Sequence, residues 1–503
     1  MAALPLLDLI WDLGLEDQFL LTSKSSPASQ NRYIYYPDHL VRMPAPRKGA
    51  SALSLASEIV SSLCKEPVFE DVLASFCKEP FVKIGTMAHR HSHYPADESV
   101  KELISRRLSP KIAENLVSSV FHGIYAGDID RLSADTLLGS LRLREFRSGS
   151  ILRDLFRFKN LEISLEDDWV AASMLRRSKP KPHRDLLKTI VDESSTLTFK
   201  DGVGQLVDTL ASELKRSPKV EVVTCANVTS IQQDPTNSDL RVKVENGKQR
   251  IHNRLIATNP PRDLARQLQS TPDHTKHPTL AINALREHNY ATTTMVVNLY
   301  YSNPDLIPTR GFGYLIPRSI SFAQNPERAL GVIFASESSI GQDTVPGTKL
   351  TVMMGGHYWD GYQESDYPDH HTAVSMAQSL LKRHLGITDS PTVTRTRLQR
   401  DAIPQPTVGH QKRMHDISKY MRSELDQRVT VAGAWYSRNG TGVVDSIRQA
   451  YLATQFGIQV EEPGIKLNDT VKELIGGGIT TNRRWAMTKP GEFWKYWGKD
   501  DRP

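Results

Sequence analysis

The spacing of apolar residues changes several times along the chain of 503 residues. Residues 1–20, MAALPLLDLIWDLGLEDQFL, crowd Leu4, Leu7, Leu9, Trp11, Leu13 and Leu15 together and predict a helix over the whole stretch. Residues 31–43, NRYIYYPDHLVRM, alternate and predict a short hairpin. From residue 50 to 145 apolar positions recur at three and four. This predicts helices over Ser51–Cys64, Glu98–Leu108, Lys111–Phe121 and Asp135–Arg147, with Asp97 as an N-cap. Prolines among basic residues at Arg176–Arg184, RRSKPKPHR, predict an exposed loop or insertion.

Beyond residue 197 the period shortens. Strands are predicted at Leu197–Phe199, Val220–Thr224, Asn227–Ile231, Leu240–Val244 and Leu255–Ala257, with a helix at Gly204–Leu214. Ala291–Tyr301, Gly311–Ile316, Leu330–Ala335 and Leu350–Met354 follow at meander-like intervals and imply a separate sheet. A helix at Ala373–Leu385 and a strand near Thr392–Leu398 come next. Gly476–Gly478 reads as a hinge. The tail Arg483–Pro503 mixes tryptophans with basic residues, so Trp485–Lys499 is a candidate membrane contact.

The most informative segment is Arg428–Gln455. Val429–Val431 predicts a buried strand, Gly433, Gly440 and Gly442 a turn, and Val443, Val444, Ile447, Ala450 and Tyr451 a helix. Strand, glycine turn and helix N-terminus form the geometry that sets backbone N–H groups against a pyrophosphate or a flavin ring. The alternative is a tight turn before a core helix. No GxGxxG occurs: Val207 follows Gly202 and Gly204 where the third glycine belongs, and Asp445 follows Gly440 and Gly442. The chain is therefore expected to lack a nucleotide-binding βαβ unit ahead of its first helix and to hold FAD poorly by itself.

Composition narrows the class without deciding it. Hydrophobic residues at 39% and charged residues at 24% describe a globular protein large enough for two or three domains. No apolar run reaches the ~18 residues of a membrane span. A net charge of +6 suits an anionic surface or an acidic ligand. No basic-aromatic module supports nucleic-acid binding. Cys64, Cys77 and Cys225 form no CxxC pair, so neither a disulfide framework nor a structural zinc is expected. The acidic start, with Asp8, Asp12, Glu16 and Asp17, is neither a secretory signal nor an Arg-rich presequence.

Several strings occur together in order: QNRYIYYPDHLVRMP (Gln30–Pro44), DESVKELISRRL and HGIYAGD (within Asp97–Asp128), TFKDGVGQL (Thr198–Leu206), GFGYLIP (Gly311–Pro317), VMMGG, AIPQPTVGH (Ala402–His410) and the Gly433–Ala450 closure. Together they resemble the oxygen-dependent protoporphyrinogen oxidases, the fungal members most closely, over roughly the span 4–455. That family opens on a VVLGGGISGL-type βαβ unit and an ELGPR-type segment, neither of which is found here. Its closing motif is about two residues shorter than Ser437–Gly440 makes it in this chain.

The resemblance implies an α/β (α+β) flavoprotein of the amine-oxidase type. Its discontinuous Rossmann-like FAD domain would use 1–26, 194–270 and 425–460. A mixed substrate sheet would use 27–46 and 275–415, and a helical membrane-associating domain 47–190, leaving 461–503 without a role. It implies Arg32 as the anchor of a substrate propionate, and Phe312, Gly313, Leu315, Ile333 and Met353 as walls of a macrocycle pocket. Val228, Gly433, Ala434, Trp435, Gly442 and Val443 would hold FAD. Gly123, Tyr125 and Gly127 would shape a helix end. His122, His410 and Asp128 are tempting acid–base groups, but the chemistry needs no strong protein base once a flavin takes the electrons.

The implied reaction is oxidation of protoporphyrinogen IX to protoporphyrin IX, with O2 reduced to H2O2. The implied place is the face of the mitochondrial inner membrane, held peripherally, with ferrochelatase and a second copy as candidate partners. Two other readings compete: a non-catalytic fragment that binds porphyrin or membrane without FAD, and another FAD-dependent amine oxidase or desaturase. QNRY, HGIYAGD and AIPQPTVGH together disfavour the last.

Overall fold

A computed structural model describes residues 2–44, 61–82, 96–159, 161–234, 237, 239–270, 277–455 and 485–498. Its centre is a seven-stranded sheet. The strands run in space Val393–Pro404, Ala291–Tyr301, Thr348–Gly355, Ala329–Phe334, Gly313–Leu315, Tyr33–Tyr35, Leu40–Arg42. All pairs are antiparallel except Gly313–Leu315 with Tyr33–Tyr35. The hairpin predicted at 31–43 forms its edge.

Side chains alternate across a strand, so each face has its own residues. Tyr35, Tyr314, Phe334, Val332, Leu350, Val352, Met354, Val297 and Leu299 pack on one face. Helix His370–Leu385 covers them with Ala373, Ala377, Leu380 and Leu381. Asp369 caps that helix by accepting the Thr372 N–H, and Gly386 ends it in a left-handed turn. The opposite face carries Leu315, Ile333, Met353 and Val296, all half-buried.

A helical layer lies against the hairpin end of the sheet. Ile34 and Val41 share a core with Val68, Phe69, Val100, Ile104 and Phe121. Helix Val100–Arg107 starts at Ser99, not at the predicted Asp97: Ser99 and Glu102 form a reciprocal capping box. Asp97 is instead a junction, its carboxylate accepting from the N–H groups of Glu98, Asp135 and Gly409 and from the Ser133 hydroxyl. The predicted Lys111–Phe121 helix runs from Pro110 to Tyr125 through a π turn at Ala113–Val117. The predicted Asp135–Arg147 helix breaks at Leu138.

A further layer contains a parallel pair, Val429–Val431 with Leu255–Ala257, and a three-stranded sheet of Val228–Gln233, Leu240–Val244 and Gln249–His252. Both rest on helices Pro261–Gln269, Thr279–Glu287 and His410–Glu424 through Leu264, Leu285 and Ile417.

Further expectations are corrected. The first helix is Leu4–Asp12 rather than residues 1–20; Gly14 turns the chain, and Phe19–Ser23 becomes a strand paired with Ser194–Phe199. Val220–Thr224 forms no strand: among the described residues no neighbour offers it ladder hydrogen bonds, and its valines are exposed. Arg176–Arg184 is not a loop but the junction of helices Glu166–Ser178 and Lys181–Glu193. Its prolines stand at the N-cap and in the first turn, where a missing N–H costs nothing. Two of its three arginines are buried: Arg176 stacks on Tyr496, and Arg184 donates to the Trp497 carbonyl, while Arg177 is exposed.

Of the tail's aromatic residues, finally, Phe493, Tyr496 and Trp497 are buried, while Trp485 and Trp494 stay partly exposed. Trp485–Thr488 pairs with Glu162–Leu165, and helix Glu492–Gly498 buries Phe493, Tyr496 and Trp497 around Trp169. The predicted hinge Gly476–Gly478 and most of helix Ser51–Cys64 lie outside the described residues.

Candidate functional site

Two rows of cross-strand neighbours build a platform on the open sheet face. Val296, Met353, Gly331 and Leu315 form one; Thr351, Ile333 and Gly313 form the next. Glycine is required at 313, where φ is +142° and a Cβ would stand 2.1 Å from the Val332 carbonyl oxygen. That approach holds Phe312 in place, its N–H donating to the Asn31 carbonyl at 3.0 Å and its carbonyl accepting the Phe334 N–H at 2.9 Å.

Arg32 is exposed, its guanidinium 5.8 Å from the Phe312 ring centre. Among the described residues no carboxylate pairs with it. The structure thus gathers Arg32, Phe312, Gly313, Leu315, Ile333 and Met353 in one region, an apolar floor with Arg32 at one edge and, opposite Val296 and Asn298, the exposed Arg397 and Arg395 at the other. Helix Ser118–Tyr125 leans on this floor through Gly123, where any Cβ would come within 2.5 Å of Leu315 Cδ2.

Three of the sequence strings meet where that helix ends. Ala126, at φ +51°, accepts the His357 N–H at 2.9 Å through its carbonyl. Gln405 Nε2 donates to the Tyr125 carbonyl at 2.8 Å and to Thr292 Oγ1 at 3.1 Å. Gly127 and Gly356 leave room for this knot, since a Cβ would stand 2.4 Å from Gln405 Oε1 or 2.3 Å from the Ala126 oxygen respectively. Gln405 and His357 were not singled out from sequence. Only the quoted strings AIPQPTVGH and VMMGG hinted at their neighbourhood.

The tempting acid–base groups are structural. His122 Nδ1 lies 2.8 Å from the Ile316 carbonyl, which fixes Nδ1–H as donor. Its Nε2 is then the acceptor for His357 Nε2–H at 2.9 Å. Burial, then the neighbouring His357, pushes the pKa of His122 down to about 3. Asp128 pairs with Arg318 at 2.7 Å.

His410 and His288 brace the closing turn. His410 Nε2 donates to the Ser437 carbonyl at 2.7 Å, His288 Nε2 to the Trp435 carbonyl, and Gln411 Nε2 to the Arg438 carbonyl at 2.6 Å. Ser437 Oγ accepts the N–H groups of Asn439 and Gly440, which folds the longer motif into a compact turn.

The remaining predicted contacts line open space. Gly433 has φ +93°, Gly442 has no atom within 4 Å of where a Cβ would be, and Val443 opens helix Val443–Gln455 with its side chain exposed. Ala434 and Trp435 form the short turn between. Trp435 also lines a cavity of about 400 Å³ with Arg131, Arg262, Tyr290 and Trp359. Val228 lines a separate cavity of about 340 Å³ with Thr258 and Asn259, and its carbonyl accepts Gln267 Nε2 at 3.0 Å. The open space at Gly442 before a helix N-terminus and the cavity beside Val228 leave room at the two places where the resemblance would set the ends of a flavin dinucleotide.

Acid should loosen this centre. Burial pushes His288, His357 and His384 down to about 4, as it does His122 to about 3. Below pH 6.5 the unfolded chain takes up protons that the folded chain refuses. The stability these groups contribute is therefore whole above pH 6.5 and lost as pH falls towards 4, at about 1.4 kcal/mol per pH unit for each group. Thermal midpoints should fall steadily from pH 7 to 4.5; a flat profile over that range contradicts the assignment of four neutral imidazoles.

Comparison with known proteins bears on this geometry. Residues 2–453 match the model of the flavin containing amine oxidoreductases. The chain is 30% identical to the protoporphyrinogen oxidase of Schizosaccharomyces pombe over 451 residues, covering 90% of this chain and 83% of that one. It is 25% identical to the Homo sapiens protoporphyrinogen oxidase, covering 87% and 81%. Among solved structures, that of a presumed protoporphyrinogen oxidase from Exiguobacterium sp. superimposes with a TM-score of 0.64 at 17% identity, over 92% of this chain and 86% of that one. A reduced UDP-galactopyranose mutase reaches 0.53 at 11% identity, over 92% and 85%, a likeness of fold alone.

Proposed function

Because the chain belongs to the flavin containing amine oxidoreductases, and within them to the protoporphyrinogen oxidases, we propose that it oxidises protoporphyrinogen IX to protoporphyrin IX with FAD. The observation that carries this reading is the platform. A sheet face with an apolar centre and exposed arginines at its rims, Arg32 at one side and Arg395 and Arg397 at the other, suits a flat macrocycle with carboxylate arms. Arg32 forms the charge-assisted pair with a propionate and so sets which edge of the ring enters. Phe312, Leu315, Ile333 and Met353 exclude water from the ring, and Gly313 and Gly123 keep floor and roof close. Gly433, Ala434, Trp435, Gly442, Val443 and Val228 are the residues that would hold the cofactor.

FAD supplies the electron acceptor for three two-electron removals, with O2 reduced to H2O2 in balance. His122 and Asp128 are engaged in the scaffold, so no side chain of this centre is assigned to abstract a proton. In this reading 1–26, 194–270 and 425–460 form the cofactor domain, 27–46 and 275–415 the substrate domain, and 47–190 the helical one. The protein works at the surface of the mitochondrial inner membrane. Among the described residues no helix is long and apolar enough to cross a membrane.

The test is porphyrin fluorescence from FAD-supplemented protein given protoporphyrinogen IX, with peroxide measured in parallel. The reading requires porphyrin to form well above the spontaneous rate, with about three H2O2 per porphyrin by electron balance. FAD-loaded protein that oxidises a primary amine, and leaves the porphyrinogen at its spontaneous rate, overturns it.

A further inference from the structure

A small cavity of about 40 Å³ lies beside the closing strand Val429–Val431, where that strand meets helix His410–Glu424 and the turn that runs on from Ala434–Tyr436. It shares no lining residue with the platform or with the cavities beside Trp435 and Val228. A single water needs about 10–15 Å³, so the space takes a group of a few heavy atoms, far less than a flavin or a macrocycle.

Its polar lining is one-sided. Arg422, near the end of the helix, and Arg438, in the longer part of the closing turn, both line it. Arg422 Nη2 and Arg438 Nε are buried atoms with no hydrogen-bond partner among the described residues. Thr430 Oγ1 is a third such atom, on a residue only 4% exposed. Ser418 and Gln449 add a hydroxyl and an amide. Buried polar atoms are almost always paired, and an unpaired guanidinium N–H costs more than a neutral donor does. Three orphaned atoms, on a helix, a strand and a turn that line one cavity, point to a partner that is not protein.

Among the described residues no carboxylate lines this cavity. The acids on the elements that build it are engaged elsewhere. Asp416 pairs with Lys412 at 2.7 Å, and Glu424 accepts the Ala281 N–H at 2.9 Å. Asp426 accepts from Gln233 Nε2 at 2.9 Å, and Asp445 pairs with Arg448. Two positive charges therefore face one small space, to which Met414, Ile417 and Met421 give an apolar wall. An anion with several acceptor oxygens satisfies both guanidiniums and the Thr430 hydroxyl at once. In apolar surroundings such pairs are stronger than at an open surface.

We propose that Arg422, Arg438 and Thr430 form a binding site for a small oxyanion of the phosphate type. The bound anion ties helix His410–Glu424, strand Val429–Val431 and the closing turn together. Arg438 is positioned for this by Gln411, whose Nε2 holds the Arg438 carbonyl at 2.6 Å, and by His410 on the preceding Ser437 carbonyl. The phosphate arrives as the free ion or as the end of a nucleotide reaching in past the half-buried arginines. The site stands whichever substrate the platform takes.

The probe is inorganic phosphate, titrated into full-length protein in a chloride buffer of constant ionic strength and followed by phosphorus NMR line broadening and by the thermal midpoint. Wild type should bind saturably, with a dissociation constant below about 1 mM, and its midpoint should climb with phosphate. Arg422→Met and Arg438→Met should each bind about tenfold more weakly or worse. Without phosphate their midpoints should not fall, because each substitution removes an unpaired buried charge. Thr430→Val keeps the shape of the side chain, should bind several-fold more weakly, and carries the test if an arginine variant fails to fold. Arg395→Met, at an exposed arginine of the sheet, should bind as wild type does. ADP is then titrated into the phosphate-loaded protein. Displacement names a nucleotide phosphate as the source and joint binding names the free ion, and the site stands in both cases. It is overturned if wild type shows no saturable binding, or if the Arg422, Arg438 and Thr430 variants bind phosphate as wild type does.

Discussion

Gly313→Ala should cost this protein about 3 kcal/mol or more of stability and most of its activity. A Cβ at this position would lie 2.1 Å from the Val332 oxygen and 2.9 Å from Ile333 Cα, and a φ of +142° suits glycine alone. Both obstacles are backbone, so no side chain can swing aside. The short strand Gly313–Leu315 must then part from Ala329–Phe334, and Tyr33–Tyr35, which pairs on its other edge, loses its place in the sheet. Arg32, Phe312 and Leu315 would move together. Chemical denaturation and porphyrin fluorescence measure the two effects. An alanine variant with the wild-type midpoint would show that this close approach is not what holds the platform.

Arg32→Ala should act on turnover without touching stability. Loss of a charge-assisted pair with a propionate is worth about 1.5–3 kcal/mol, or roughly a 10- to 150-fold fall in kcat/KM. Flavin content should stay at the wild-type level, because the closing turn is braced by His288, His410 and Gln411 and not by Arg32. Arg32→Lys should recover only part of the loss, since an ammonium cannot pair in two parallel hydrogen bonds. Unchanged kcat/KM, or a variant that sheds flavin, removes Arg32 from its assigned role.

Where the sequence was legible, a local signal was enough. Leu240–Val244 alternates apolar and charged residues, Leu255–Ala257 is a short apolar run and Ala291–Tyr301 is rich in β-branched and aromatic residues, and the strands form at those residues. The strand, turn and helix of Val429–Gln455 likewise announce themselves by glycine spacing. The errors arose where distant partners decide. RRSKPKPHR looks exposed until Tyr496 and Trp497 arrive to cover its arginines. Val220–Thr224 has the composition of a strand, but a strand is a relation between two segments. Asp97 has the chemistry of a cap and the place of one; Ser99 was nearer the helix. Of the braces of the closing turn, His410 stands out in sequence but for another role, and His288 could not be read, being a lone histidine 147 residues before the carbonyl it holds.

The tail has a consequence for how the molecule comes apart. Leu4 and Leu7 of the first described helix share one core with Phe493 and Trp497 of the last, with Trp169 and Leu187 of the two central helices between them. The last helix is also clasped to helix Lys181–Glu193, where Trp497 Nε1 donates to the Arg184 carbonyl and Arg184 donates to the Trp497 carbonyl. Such segments ordinarily fray one at a time, each opening at little cost. Here neither can leave without exposing the other's tryptophan. Amides in Leu4–Asp12 and Glu492–Gly498 should therefore exchange with deuterium through a single shared opening. A protease that cuts beyond residue 455 should release both from protection at the same rate.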